Sequence, residues 1–239
     1  HTVPNRPTYG LTLPTLANDA LSSAGAALVP SSVVIKDPVS GTYSSSVTVA
    51  GQGTCGLEII EHSPDVETVL VPTGGGGLLA GVAIAVKAVR PDVRVVGVQA
   101  AGAAAYPESL REGHPVALAS MRTMADGIAV GLPGEITFAA VRDHVDDIIT
   151  VSEESMSRAL LALVERAKMV VEPAGAAAVA AMLDHPSAFR TPAVAILSGG
   201  NIDPLLLGKV IRHGMAAAGR YLNLHVCIPD TPGGLARLL

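Results

Sequence analysis

Four consecutive glycines, Gly74, Gly75, Gly76 and Gly77, stand in the run Val69-Leu-Val-Pro-Thr-Gly-Gly-Gly-Gly-Leu-Leu-Ala-Gly81. Backbone N–H groups are unobstructed where side chains are missing, and at a helix start such groups hold a dianionic phosphate through main chain alone. A glycine run by itself is also read as no more than a mobile turn. Its placement argues for the phosphate. Residues 66–71 are rich in β-branched side chains and stop at Pro72, the signature of a buried strand. From Leu78 the chain is apolar and helical in character, with Lys87, Arg90 and Pro91 as stop signals. No Gly-Lys-Ser/Thr follows, so a P-loop is excluded. A dinucleotide fingerprint can be threaded through Gly75, Gly77 and Ala80, but Gln99 stands where a ribose-binding acid is wanted.

A second turn of small residues, Ser198-Gly-Gly-Asn201, follows an apolar run at 194–197 and precedes another helical stretch. Two strands that both end in glycine-bearing turns line the ligand crevice when they lie in an open parallel sheet. The elements between them fit that arrangement. Strands are expected at 66–71, 93–99, 145–151 and 194–197, with helices at 78–90, 103–112, 135–143, from Ser152 to about Lys168, and from Pro173 to residue 183. Ser152 caps its helix, with Glu153 and Glu154 in the first turn. Residues 113–134 are irregular and contain Ala125-Asp-Gly127. The prediction is an α/β domain, an open parallel sheet with helices on both faces.

The two ends differ from this pattern. Residues 1–48 lack the apolar periodicity of a complete domain and offer only a short helix at 17–28 and a strand at 33–36. Gly51-Gln-Gly-Thr54 reads as the start of a helix that carries Leu57, Ile59 and Ile60. Residues 222–228 alternate like a strand, and Asp230-Thr-Pro-Gly-Gly-Leu235 is a turn into a helix that the chain end cuts off.

Composition bounds the partners. Of 239 residues, 49% are hydrophobic and 3% aromatic, and 16 Lys and Arg face 21 Asp and Glu for a net charge of -5. Without a basic block, nucleic acid is not expected as a partner. The apolar run at 169–183 is too short for a membrane span and contains Glu172 and Pro173, so no membrane association is expected. Cys55 and Cys227 have no metal spacing and read as small buried hydrophobes, which suits a reducing cytoplasm. No signal peptide is read at the start.

Gly51-Gln-Gly-Thr54, Val71-Pro-Thr-Gly-Gly-Gly-Gly-Leu78, Ala125-Asp-Gly127, Glu172-Pro-Ala-Gly-Ala176 and Ser198-Gly-Gly-Asn201 follow one another in the order and approximate spacing of a known family. In these motifs the chain resembles the threonine dehydratases (threonine ammonia-lyases), pyridoxal 5'-phosphate (PLP) enzymes of fold type II related to serine dehydratase and serine racemase. The resemblance covers roughly residues 49–239 and implies a tryptophan-synthase-β-like fold, with residues 49–220 as the PLP-binding domain. Residues 1–48 would be the remnant of a small domain, and 221–239 the truncated start of an ACT-like regulatory domain. Gly74, Gly75, Gly76 and Gly77, with the N–H of Leu78, would hold the cofactor phosphate, and Ser198 would hydrogen-bond the pyridine nitrogen. Glu172 would wall the cofactor pocket or, on the other reading, place a charge at the start of the Ala-rich helix. Asn201 reads as a turn residue and Asp126 as a cap or the orienter of a substrate loop.

The implied activity is β-elimination of threonine or serine to a 2-oxo acid and ammonia, by a homo-oligomer acting on a small amino acid. The family's Schiff-base lysine lies in a Ser-Phe-Lys-like motif near the N-terminus, and that motif is missing here. The lysines are Lys36, Lys87, Lys168 and Lys209, none at the matching place, and alignment puts Ser44 where the amine belongs. The alternative is therefore an inactive phosphate- or PLP-binding remnant that associates with an intact homologue. Borohydride treatment of the chain with PLP is expected to leave no pyridoxyl-lysine; one such peptide in a mass spectrum would overturn this reading of the lysines.

Overall fold

The computed structural model of the chain describes residues 45–222, together with residues 224, 226–228, 233 and 236. The helix expected at 17–28, the strand at 33–36, Lys36, Ser44 and most of the 230–235 turn lie outside the described residues. The first described element is helix α1 (Ser45–His62), followed by strand β1 (Thr68–Pro72) and helix α2 (Gly77–Val89). Strand β2 (Arg94–Ala100) and short helix α3 (Tyr106–Glu112) come next. After a single 3-10 turn (Asp126–Ile128) come α4 (Glu135–His144), β3 (Asp147–Val151) and α5 (Glu153–Ala162). The domain ends with α6 (Pro173–Asp184), β4 (Ala193–Ala195) and α7 (Pro204–Ala217).

The four strands form one parallel sheet in the order β3-β2-β1-β4. Val69 pairs with Val95 and with Val194, so β1 is a central strand, and every one of its residues is buried. That is why, after Thr68, its sequence is an apolar run and not an alternating one. Val69, Val71 and Val95 pack under α1, α2 and α4, whereas Leu70, Val96, Val98 and Ala100 pack under α5, α6 and α7. The expected two-faced α/β architecture is the observed one. From β1 the chain steps outward through β2 to β3, then returns to place β4 on the other side of β1. The direction of winding therefore reverses between β1 and β4, the position at which open α/β sheets bind their ligands.

Helix α2 is buried all round: every residue from Leu79 to Val86 is inside. Its outer face is covered by α1, and this corrects the reading of Gly51-Gln-Gly-Thr54 as a helix start, since those residues lie inside α1. The expected boundary at 48/49 also falls within that helix. Glycine inside a helix costs about 1 kcal/mol relative to alanine. Close approach offsets the cost. A methyl group on Gly81 would sit 2.8 Å from the Gly53 nitrogen and 2.9 Å from Gln52 Cβ, and one on Gly56 would sit 2.9 Å from the Val82 carbonyl oxygen.

Two further differences have local causes. Ser152 caps α5 as expected, its hydroxyl accepting from Ser155 N–H at 3.1 Å, but the α-helix gives way at Leu163–Ala167 to a π-turn that ends on left-handed Lys168. The described residues of 222–228 belong to no strand, and Leu222, Leu224 and Val226 are exposed. Alternation alone supplies no neighbour to complete a ladder. Cys227, in the same stretch, is exposed and not buried as expected; Cys55 is half-buried, and both are free. Among the described residues no helix is long and apolar enough to cross a membrane.

Replacement of Gly81 by valine is expected to lower stability by roughly 1–3 kcal/mol through overpacking against α1. A urea unfolding midpoint equal to the parent's would show that α1 and α2 can separate without penalty.

Candidate functional site

Thr73 fixes the exit of β1. Its N–H donates to the Val98 carbonyl at 2.8 Å and its hydroxyl to the Val71 carbonyl at 2.8 Å. Beyond it the glycines meet close walls. A methyl on Gly74 would lie 3.0 Å from Ile128 Cα, one on Gly77 3.1 Å from Thr48 Cγ2, and one on Gly76 would run into the Tyr106 hydroxyl. Gly76 is also left-handed, with φ 89 and ψ 0, and serves as the N-cap of α2. Gly75 has ordinary contact with Val130 at 3.5 Å. Gly76 is thus required both for space and for its backbone angle, whereas a side chain at Gly74 or Gly77 would have to push a neighbour aside by a few tenths of an ångström.

The amides are what this geometry leaves open. Thr73 N–H and Ala80 N–H both have backbone acceptors, Val98 O and Gly76 O. Between them, the N–H groups of Gly74, Gly75, Gly76, Gly77, Leu78 and Leu79 donate to no acceptor among the described residues. The start of a helix always leaves such donors over, and its positive end adds to their pull on an anion.

The residues named from sequence as cofactor contacts line one cavity of about 300 Å³: Gly74, Gly75, Gly76, Gly77 and Leu78, with Glu172 and Ser198. Ser198 sits exposed on the wall, just beyond the end of β4. Glu172 is the N-cap residue of α6, but its side chain does not cap the helix. Instead its N–H donates to the Gly199 carbonyl at 3.1 Å and its carboxylate packs against Gly127 and Gly199. A methyl on Gly127 would sit 3.0 Å from Glu172 Oε1, so a side chain there would make the carboxylate shift. Asp126 and Asn201 line an adjoining cavity of about 210 Å³ that shares Gly127 and Glu172. Asp126 accepts the Ala129 N–H and so closes its turn.

The described lysines are elsewhere. Lys87 pairs with Asp146 at 2.8 Å, Lys168 donates to the Glu165 carbonyl at 2.6 Å, and Lys209 is exposed on α7. None of the three lines the cavity. Among the described residues no cluster of His, Cys, Asp and Glu is arranged to hold a metal.

Sequence reading missed the residues behind the glycines. Tyr106 and Thr137 are buried, and both hydroxyls donate to the Gly75 carbonyl, at 3.2 and 2.7 Å. Burial pushes the Tyr106 phenol above its ordinary pKa, and the Thr137 hydroxyl acts in the opposite direction. Gln99, which stands where a dinucleotide site would want a ribose-binding acid, is buried and uses its side-chain oxygen to accept the Tyr106 N–H at 3.0 Å, so it faces the scaffold.

The family of pyridoxal-phosphate dependent enzymes matches residues 36–199. The chain belongs to this family. Among pyridoxal-phosphate dependent enzymes, L-threonine ammonia-lyase of Geobacter sulfurreducens is 46% identical over 197 residues, which is 82% of this chain and 49% of the relative. The chain spans about half the length of the curated relatives it matches. The structure of the processed form of threonine deaminase isoform 2 from Solanum lycopersicum superposes with a TM-score of 0.66 at 39% identity, covering 69% of this chain and 49% of that one. Maize serine racemase gives 0.64 at 38% identity, covering 69% and 53%. The fold-type II resemblance and the α/β class expected from sequence are those of the family, as is its cofactor, PLP.

Gly76 and Gly113 both have positive φ, but a methyl on Gly113 meets nothing within 4 Å. Gly113→Ala is expected to cost about 1 kcal/mol of stability and leave PLP affinity unchanged, whereas Gly76→Ala adds a collision with Tyr106 and should abolish PLP binding. Calorimetric titration of the two variants measures the difference, and equal affinities would remove the glycine turn from the site.

Proposed function

We propose that the Gly74, Gly75, Gly76, Gly77 and Leu78 turn holds PLP by its phosphate, and that the chain serves an ammonia-lyase acting on threonine or serine. One observation carries the reading: a row of amides without acceptors among the described residues, in a glycine-walled cavity at the switch point of the sheet. The fit to the phosphate end is good, because the donors are fixed before the anion arrives and the wall has no side chain to displace. Bound there, PLP supplies the electron sink that makes the α-proton of an amino acid removable.

The residues of this chain would bind and orient. The Ser198 hydroxyl, in the lining of the same cavity, would meet the ring nitrogen as a neutral partner that keeps no proton on it. Glu172, wedged between Gly127 and Gly199, would wall the ring's pocket with a fixed carboxylate. Threonine and serine are proposed as substrates because relatives named for threonine deamination and serine racemisation share this fold and a third or more of the aligned residues. A homo-oligomer belongs to the reading, since Met169, Val170 and Leu205 leave large apolar side chains exposed. A cytoplasmic location goes with two cysteines that are both free.

A second reading has its own support. Lys87, Lys168 and Lys209 all lie away from the cavity, so the described residues offer no amine to the cofactor. On that reading the chain binds PLP without turnover and associates with an intact homologue. Assay separates the two. With PLP, the chain is expected to release ammonia and a 2-oxo acid in equal amounts from L-threonine or L-serine, and faster when methylamine is added as a substitute amine. Product at the rate given by free PLP and methylamine alone would leave the second reading standing.

A further inference from the structure

The peptide joining Gly75 and Gly76 is the weak point of the cradle. Its orientation depends on ψ of Gly75 and φ of Gly76, and neither residue has a Cβ to resist rotation. Because the peptide is planar and trans, its C=O and N–H point in opposite directions. A flip would withdraw the Gly76 N–H from the cavity and replace it with a carbonyl oxygen, turning a donor to an anion into a repulsive acceptor.

Two hydroxyls stand against that flip. The Gly75 carbonyl accepts from Thr137 Oγ1 at 2.7 Å and from Tyr106 Oη at 3.2 Å, and neither residue lines the cavity. Both are fixed from behind. Tyr106 is fully buried, its N–H is held by Gln99 Oε1 at 3.0 Å, and its ring lies nearly parallel to that of Phe138 with centroids 6.5 Å apart. Thr137 lies in the first turn of α4, its hydroxyl also 3.0 Å from the Gly134 carbonyl.

We propose that Tyr106 and Thr137 are positioning residues: by holding the Gly75 carbonyl on the far side of the loop, they aim the Gly76 N–H at the phosphate of PLP. The inference rests on the phosphate reading of the cavity and adds that the cradle's polarity is set by these two hydroxyls. Their effect must then be confined to ligands that carry the phosphate.

Tyr106→Phe, Thr137→Val and the double variant test this by titration with PLP and with pyridoxal, which lacks the phosphate, in a calorimeter. The parent should prefer PLP. The double variant should weaken PLP by about tenfold or more while pyridoxal stays within about twofold, the size expected for one or two lost hydrogen bonds. The ³¹P resonance of bound PLP should shift in the variants, and Thr137→Ser, which keeps the hydroxyl, should restore the parent's affinity. If the parent prefers PLP and the variants lose nothing, or lose both ligands equally, the inference is overturned and the phosphate reading survives. A parent that binds both ligands equally removes the phosphate reading and this inference with it.

Discussion

Main-chain groups buried without partners are costly, and a loop that keeps several amides free for a ligand needs compensation elsewhere. In this chain the turn after β1 meets that constraint by sorting its backbone. The Gly75 carbonyl is drawn into the scaffold and the Gly76 carbonyl into α2, while the N–H groups from Gly74 to Leu79 are left without acceptors among the described residues. Everything around the turn serves the sorting. Thr73 pins the strand exit, and α2 begins at once, so the free amides include those of a helix's first turn.

The sheet supplies the second half of the arrangement. Since β4 pairs with β1 and not with β3, β4 delivers Ser198 to the same cavity as the turn that β1 delivers. Helix α6 closes the cavity from the side, and it lies close because its inner face is alanine and glycine. A methyl on Gly175 would sit 2.5 Å from the Gly199 carbonyl oxygen, so the start of α6 and the turn after β4 meet backbone to backbone. Glu172, just ahead of that helix, is turned toward the cavity by the same contact.

What was legible in the sequence follows from how far each signal reaches. The parallel strands, their helices and the crevice at two glycine turns came from local periodicity and from chain order, both of which are written along the sequence. Gly51 and Gly53 were misread because glycine in sequence signals a break, whereas here both lie inside α1: Gly53 sits where α1 and α2 touch, and Gly51 is exposed with nothing near it. Among the described residues of 222–228 the alternation expected to make a strand meets no partner strand. Tyr106 and Thr137 had no signal at all. Their contacts with Gly75 span 31 and 62 residues, and nothing in the neighbouring sequence distinguishes a hydroxyl that serves a distant carbonyl from one that faces water.

A cradle made of glycine has a consequence for how this protein tolerates change. At most binding sites a residue can be trimmed, and function declines by the atoms removed. Here no smaller residue exists to retreat to, so every missense change at Gly74, Gly76 or Gly77 adds bulk against Ile128, Tyr106 or Thr48. The turn can drift in one direction only, toward crowding. Gly75, whose added methyl would make only ordinary contact with Val130, is the one of the four where a lineage could add a methyl group without first moving a wall.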